Sequence, residues 1–196
     1  MRETCTVEYN TYGLKNPIEG RPISYHRIYQ DTYYRILDFF TLKKRIIGRK
    51  ERIIIDEVIS QRAGLEIIRH QIYRPDEPEL EKRLEAGAMT KALDSKGLTI
   101  RKLKTRYEFR DGVKFDFTII EFGGNKDTHL SVVGQSIDRA ASVRDYLHLD
   151  PEGYMSLYDY LRNRGALLTL DDYLKSISGT TSVLQHQDSL AQPSQS

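Results

Sequence analysis

The sequence predicts an α+β protein built mainly on antiparallel strands. Three observations carry that expectation. Runs of β-branched and aromatic residues concentrate before Phe122. An Asp111-Gly112 pair separates two long alternating runs, a hairpin signature. Helical spacing then dominates beyond Ser136. The expected organisation is a single domain over residues 1–177, sheet-rich over 1–122 and helical over 136–177, followed by a tail over 178–196. Ser, Gln and Thr dominate that tail and Lys and Arg are missing from it, so it is expected to be disordered, with too little apolar surface to offset its ordering entropy.

From the N-terminus, Thr4 to Tyr9 alternates loosely and reads as a strand, and Gly13, Pro17, Gly20 and Pro22 mark a loop. Tyr25, Tyr29, Tyr33, Ile36 and Phe40 recur every three or four residues. That spacing predicts an amphipathic helix over Ser24–Phe40, capped by Ser24, with its tyrosines toward the core. Ile53, Ile54 and Ile55 place a strand over Arg49–Ser60, and Leu65–Tyr73 forms a second, joined to it across Gln61–Gly64. Pro75 and Pro78 end that pair. Glu79 to Leu93 has Leu80 and Leu84 on one side, predicting a helix that Gly97 closes. After the Leu98–Phe122 hairpin, Gly123-Gly124 reads as a strand terminator, and helices are expected over Ser136–Leu147, Tyr154–Arg162 and Leu170–Ile177. The pattern of Tyr146, Leu147, Tyr154, Leu157, Tyr158, Tyr160 and Leu161 reads either as packing against the sheet or as a surface for a protein partner.

Composition narrows the function classes. Apolar residues are 39% and charged residues 30% of the 196, as in a soluble domain with a charged surface. Net charge is only +2, so attraction to polyanions has to come from clustering. Cys5 is the one cysteine, which excludes an internal disulfide and a thiolate zinc site and points to an intracellular setting, cytoplasm or nucleus. No apolar run approaches the roughly 18 residues of a membrane helix, and no targeting core opens the chain, so no membrane association is expected. The five histidines lack metal-ligand spacing, and neither a P-loop nor a dinucleotide fingerprint is present.

Two clusters carry chemistry. In the hairpin, Lys102, Lys104, Arg106 and Glu108 alternate against Leu103, Thr105, Tyr107 and Phe109; on the return strand Lys114, Asp116 and Thr118 alternate against Phe115, Phe117 and Ile119. A three-residue loop, Asp111-Gly112-Val113, gathers one apolar and one charged face by setting Phe109 against Phe115 and Arg106 against Thr118. Closely spaced cations on a rigid sheet suit an anionic guest, and Arg forks match phosphate oxygens, which makes Lys102, Lys104, Arg106 and Lys114 phosphate-binding candidates. The bland alternative is a solvated face that its own acids neutralise. The second cluster, Lys43, Lys44, Arg45, Arg49, Lys50 and Arg52, either tracks a nucleic-acid backbone or is a solvated turn between helix and strand.

The run Leu103-Lys104-Thr105-Arg106-Tyr107-Glu108-Phe109, with Phe115-Asp116-Phe117-Thr118, resembles paired strands of the triphosphate tunnel metalloenzymes, and within them the fungal and viral RNA 5′-triphosphatases. The upstream order, including Ile55-Asp56, is also similar across residues 4–122. The resemblance implies a closed or partly closed antiparallel tunnel barrel with flanking helices, gripping a triphosphate. It also implies a divalent metal, Mg or Mn, held by glutamates. On this sequence Glu8 and Glu121 are the metal candidates, and Glu8, Asp116 and Glu121 the catalytic ones. The family's Glu-x-Glu pairs are missing at both ends: Glu8 is followed by Asn10, and only Glu121 follows Thr118. Three functions stay open at this level: a tunnel domain that binds and hydrolyses an RNA 5′-triphosphate or a related triphosphate, a non-enzymatic nucleic-acid-binding module, and a viral or assembly component that binds a protein partner.

Overall fold

A computed structural model describes residues 1–166 apart from Asp38, Ala88, Thr90, Ser95, Lys96 and Arg110. Eight strands dominate it: β1 (Arg2–Tyr12), β2 (Tyr25–Leu37), β3 (Phe40–Ile47), β4 (Lys50–Arg62), β5 (Leu65–Tyr73), β6 (Leu98–Glu108), β7 (Lys114–Phe122) and β8 (Asn125–Gly134). They close into a barrel in the order β1-β5-β4-β3-β2-β6-β7-β8, and every neighbouring pair is antiparallel. Helix α1 (Pro78–Ala86) lies between β5 and β6; α2 (Ile137–Tyr146) follows β8. Met1–Leu157 forms one compact unit, and a second begins at Tyr158, within the short helix α3 (Leu157–Asn163).

The hydrophobic core lies outside the barrel wall. Val7, Tyr9, Leu65, Phe115, Leu130 and Val132 point outward and meet Ala140 and Val143 of α2, together with Leu147 and Leu149. On another side, Leu42, Ile53, Ile55 and Tyr73 are covered by Leu80 and Leu84 of α1 and by Ala92. Because side chains alternate along a strand, the residues between these point into the barrel. Those inward residues are mainly charged or hydroxylated, so the interior is a polar tunnel.

Several expected elements take a different form. Within Ser24–Phe40, expected as a helix, Tyr25–Leu37 is strand β2 and Phe40 opens β3. A spacing of four fits a strand face as well as a helix face, so Tyr25, Tyr29 and Tyr33 all point one way in either. The usual apolar alternation is missing because the inward face carries Asp31 and the outward face carries His26, Gln30 and Thr32. The run from Lys43 to Arg52 is β3 and the start of β4, with a turn at Gly48 (φ 58°), instead of a loop after a helix. Gly123 and Gly124, both at positive φ, form a two-residue hairpin turn into β8, a strand the sequence reading left out. The β6–β7 register also differs by two residues: Arg106 faces Asp116 and Tyr107 faces Phe115. The Phe109 N–H donates to the Val113 carbonyl at 2.9 Å to close the connection, with Gly112 just before Val113 at φ 73°. A shift of two preserves the faces, so the charged side is the one expected. The helix expected over Tyr154–Arg162 is shortened to α3, and that over Glu79–Leu93 to α1 and a 3₁₀ turn at Ala92–Asp94. The expected helix Leu170–Ile177 and the 178–196 tail lie outside the described residues.

Candidate functional site: a charged tunnel

Register places the inward side chains in rows around the barrel. Lys104 on β6 faces Thr118 on β7, which faces His129 on β8, which faces Tyr12 on β1. Going the other way, Tyr29 on β2 faces Lys102, while Asp31 on β2 faces Arg45 on β3. Three aspartates organise the cations. Asp31, fully buried, accepts from Arg45 Nε and Nη2 at 2.7 and 2.8 Å and from Lys102 Nζ at 3.0 Å. Asp116, 1% exposed, accepts from Lys104 Nζ and from Arg106 Nε and Nη2, each at 2.6 Å. Asp56 accepts from Lys43 Nζ, from Thr41 Oγ1 at 3.2 Å and from His70 Nδ1 at 2.8 Å. These bonds use Nε and Nη2 of each arginine and leave each Nη1 outside them. Lys104 likewise commits one of its three donors to Asp116.

Tyrosines line the same surface. The Arg45 guanidinium lies 4.4 Å from the Tyr29 ring centroid, and the Lys102 and Lys104 ammonium groups lie 6.0 Å from it. Lys43 and Lys102 approach Tyr33 at 5.5 and 5.1 Å, and Arg106 lies 5.0 Å from Tyr25.

Electrostatics follow from this packing. Burial opposes ionisation of Asp31, but Lys102 and Arg45 outweigh it and hold the carboxyl well below the usual range. Asp56 is lowered in the same way by Lys43 and His70, and Asp116 by Arg106 and Lys104. Burial would raise the Tyr29 phenol; Lys104, Arg45 and Lys102 overcome that and lower it. His129 is pushed down to about 3 by burial and by Lys102 and Lys104, so it is neutral, and its Nε2 pairs with Asn10 Oδ1 at 3.0 Å. Burial lowers His70 too, but its bonds to Asp56 and Glu8 carry it up to about 9. Thr118 Oγ1, between Lys104 and His129, is buried and meets no hydrogen-bond partner.

The sequence candidates divide accordingly. Lys102, Lys104, Arg106, Asp116 and Glu8 come together in the tunnel, and Lys114 is on the same side of β7 near its start. Asp116 is committed to two cations. Glu121 is on the outer face of β7, beside Arg101 at 3.9 Å and Lys126 at 3.8 Å, so it does not join Glu8. Of the Lys43–Arg52 cluster, Lys43 and Arg45 enter the tunnel, Arg52 faces Arg45, Lys44 points outward, and Arg49 and Lys50 are exposed around the β3–β4 turn. Sequence reasoning did not assign Asp31, His70, His129, Tyr29 or Thr118 to the site. Reading Tyr25–Leu37 as a strand would have put Asp31 and Tyr29 on one face.

A divalent ion bound through oxygen needs several carboxylates free to turn toward it. Among the described residues no group of three or more His, Cys, Asp or Glu side chains is placed to hold a metal ion: Glu8 and Asp56 meet opposite nitrogens of the His70 ring instead of turning toward one point. Glu8 itself is engaged by Thr6 Oγ1 at 2.9 Å and by His70 Nε2 at 3.3 Å. The Mg or Mn implied by the resemblance therefore finds no fitting set of protein ligands.

No family model and no curated protein matches this sequence. Solved structures do match its fold. The PH1012 protein of Pyrococcus horikoshii OT3 is 20% identical and aligns with a TM-score of 0.55, over 79% of this chain and 98% of its own. A conserved hypothetical protein of Pyrococcus furiosus is 19% identical at 0.55, over 80% and 99%. HpAC1 from Hippeastrum, a putative adenylyl cyclase with a dominant triphosphatase activity, is 11% identical at 0.53, over 84% and 98%. With its closed antiparallel barrel, the chain shares the fold of these structures, a triphosphatase among them.

Proposed function

We propose that the tunnel binds the triphosphate of a nucleotide or of an RNA 5′ end. One observation carries this reading: Lys43 and Arg45 of β3 and Lys102, Lys104 and Arg106 of β6 converge on one enclosed surface, each fixed by a buried or half-buried aspartate. The aspartates hold the cations at set positions, so little side-chain entropy is lost when phosphate arrives. The Nη1 groups of Arg45 and Arg106 and the spare Lys104 donors are suited to the oxygens of a linear triphosphate.

Hydrolysis is a separate question from binding. Glu8 is an inward glutamate next to this surface, and its bonds to His70 and Thr6 help hold it ionised despite burial. In that state it can orient a water but is a weak base. The test is to follow binding of triphosphate-ended RNA, of ATP and of inorganic tripolyphosphate, together with phosphate release with Mg or Mn. A Lys104→Ala/Arg106→Ala variant is run beside the native chain. Binding that the double variant abolishes supports the tunnel reading. Equal binding by both proteins, or none by a folded native chain, removes it. Phosphate release lost in the variant would add hydrolase activity to the binding role.

A further inference from the structure

The inward side chains change character along each strand. On β6 they run Arg106, Lys104, Lys102 and then Ile100; on β7 they run Lys114, Asp116, Thr118 and then Ile120 and Phe122. On β2 the run Tyr25, Arg27, Tyr29, Asp31 ends at Tyr33. Antiparallel pairing sets these runs side by side in the same sense, since Tyr25 faces Arg106 and Arg106 faces Asp116. Exposure falls along β6: the Arg106 and Lys104 side chains are 18% and 19% exposed, Lys102 is 10% and Ile100 is 0%.

Ile100, Ile120, Phe122 and Tyr33 are buried, yet they belong to neither of the clusters outside the wall. Strand parity points them inward, so they fill one end of the barrel's own interior. The Tyr33 hydroxyl accepts from Lys102 Nζ at 2.7 Å and donates to Asp31 at 3.3 Å, which fixes its ring across that end. On another part of the wall Tyr12 stacks on His129, with ring centroids 4.7 Å apart, and His129 pairs with Asn10. Tyr12 also adds to the upward shift that burial and Asp31 impose on the Tyr33 phenol, so the two walls approach each other here. The opposite end is cationic. Arg27, exposed, stands beside Arg106 and Lys114 there, and the β3–β4 turn brings Arg49, Lys50 and Arg52 to the same end.

From this we infer that the tunnel is a blind well with a single mouth at Arg27, and that it takes a phosphate chain only by a free end. The chain enters past Arg27, Arg106 and Lys114, drawn by their charge. Its terminal phosphate travels as far as Lys102 and stops at Tyr33 and the two isoleucines, because an anion cannot cross an apolar floor without losing its hydration. Whatever the chain is attached to stays outside, against Arg49, Lys50 and Arg52. The basic run Lys43–Arg52 is thereby divided: its first half grips phosphate inside the well and its second half lines the approach. A chain with a bulky group at each end cannot seat.

The inference rests on the triphosphate-binding reading, and two calorimetric arms separate them. The first uses the native chain with ADP and with diadenosine triphosphate, which carry the same formal charge; only ADP has a free phosphate end. ADP is expected to bind about tenfold tighter or more, despite its shorter chain. Equal or tighter binding of the diadenosine compound overturns the inference. The second arm plugs each end in turn in a Cys5→Ser background. Arg27→Cys is at the mouth, and Lys126→Cys is beside the β7–β8 turn at the floor, where the native side chain is 66% exposed. Each is coupled to biotin maleimide, and inorganic tripolyphosphate is titrated before and after streptavidin is added. Streptavidin at position 27 is expected to lower the affinity about tenfold or more, and at position 126 to leave it within about twofold. Equal losses at the two positions, or unchanged binding with position 27 plugged, overturn the inference and leave the binding reading standing. A native chain that binds neither tripolyphosphate nor ADP removes both.

Discussion

Arg45 and Asp31 meet across β2 and β3 in a two-pronged pair, Nε to Oδ1 at 2.7 Å and Nη2 to Oδ2 at 2.8 Å, around a carboxylate with no solvent exposure. Lys102 completes the set from β6 at 3.0 Å. One aspartate thus ties three strands together and holds two cations that would otherwise repel each other. Asp31→Asn keeps the shape and removes the charge, leaving Arg45 and Lys102 uncompensated in an enclosed space. Breaking such a buried set costs about 3 kcal/mol, which chemical denaturation should report as a lower midpoint with an unchanged slope.

Arg106 provides a test of geometry apart from charge. Its Nε and Nη2 grip Asp116, which leaves Nη1 for a ligand. Arg106→Lys keeps one positive charge but cannot hold Asp116 in a fork and also present a second amine. Tripolyphosphate affinity is expected to drop roughly tenfold. Lys44→Ala, on the outward side of β3, should leave affinity unchanged. Equal losses from both variants would point to bulk charge in place of a tunnel site.

Two histidines set opposite limbs of the pH–stability curve. The folded value for His70 is raised from 6.5 to about 9, so its contribution is complete below pH 6.5 and is lost as pH rises through 9. His129 is lowered from 6.5 to about 3; its contribution is complete above 6.5 and is lost as pH falls toward 3, because the unfolded chain takes up a proton the folded one refuses. The alkaline limb is worth up to about 3 kcal/mol and the acid limb up to about 5 kcal/mol. Stability measured by urea unfolding should peak near pH 6.5, with His70→Gln flattening the alkaline side and His129→Gln the acid side. A native curve flat from pH 5 to 9 would contradict both assignments.

How far the sequence foretold the site depends on which face of each strand meets apolar surface. On β6 and β7 the outer residues Tyr107 and Phe115 pack in the core, so alternation separates Lys104, Arg106 and Asp116 cleanly, and a register error of two residues leaves that separation intact. On β2 the outer side is uncovered around Ile28, which is 57% exposed, and the inner side mixes tyrosines with Asp31. No apolar period survives there, and the tyrosine spacing imitates a helix. Glu121 stands apart from the tunnel for a simpler reason: on β7 it has the opposite parity to Asp116, which the sequence itself displays. The pairing of His70 with Asp56 and Glu8 brings three separate strands together, and no local pattern announces it.

The β4–β5 hairpin offers a test of the backbone. Ala63 and Gly64 both have positive φ, 52° and 70°, as a two-residue turn between twisted strands requires. A Cβ on Gly64 would lie 2.3 Å from the Pro151 carbonyl oxygen, which is backbone and cannot swing aside. Gly64→Ala therefore meets both conformational strain and a clash, and it should destabilise the protein by more than about 1 kcal/mol in thermal or chemical unfolding.

Thr118 separates the demands of stability from those of binding. Its side chain is 1% exposed and its Oγ1 is buried without a hydrogen-bond partner, in the row that joins Lys104 to His129. An unsatisfied buried hydroxyl weakens a fold by about 1–3 kcal/mol relative to a satisfied one, so its presence calls for a reason. Valine has nearly the same shape and no polar atom. If Thr118 serves only the fold, Thr118→Val should leave stability level or raise it by roughly 1 kcal/mol and leave tripolyphosphate binding unaffected. As a donor to phosphate, the hydroxyl should instead reveal itself by opposite signs: stability level or higher, and affinity several-fold lower. The second pattern is the one expected, because the hydroxyl shares its row with the Lys104 ammonium proposed to hold the same oxygens. Unfolding and calorimetry on one variant preparation decide between them.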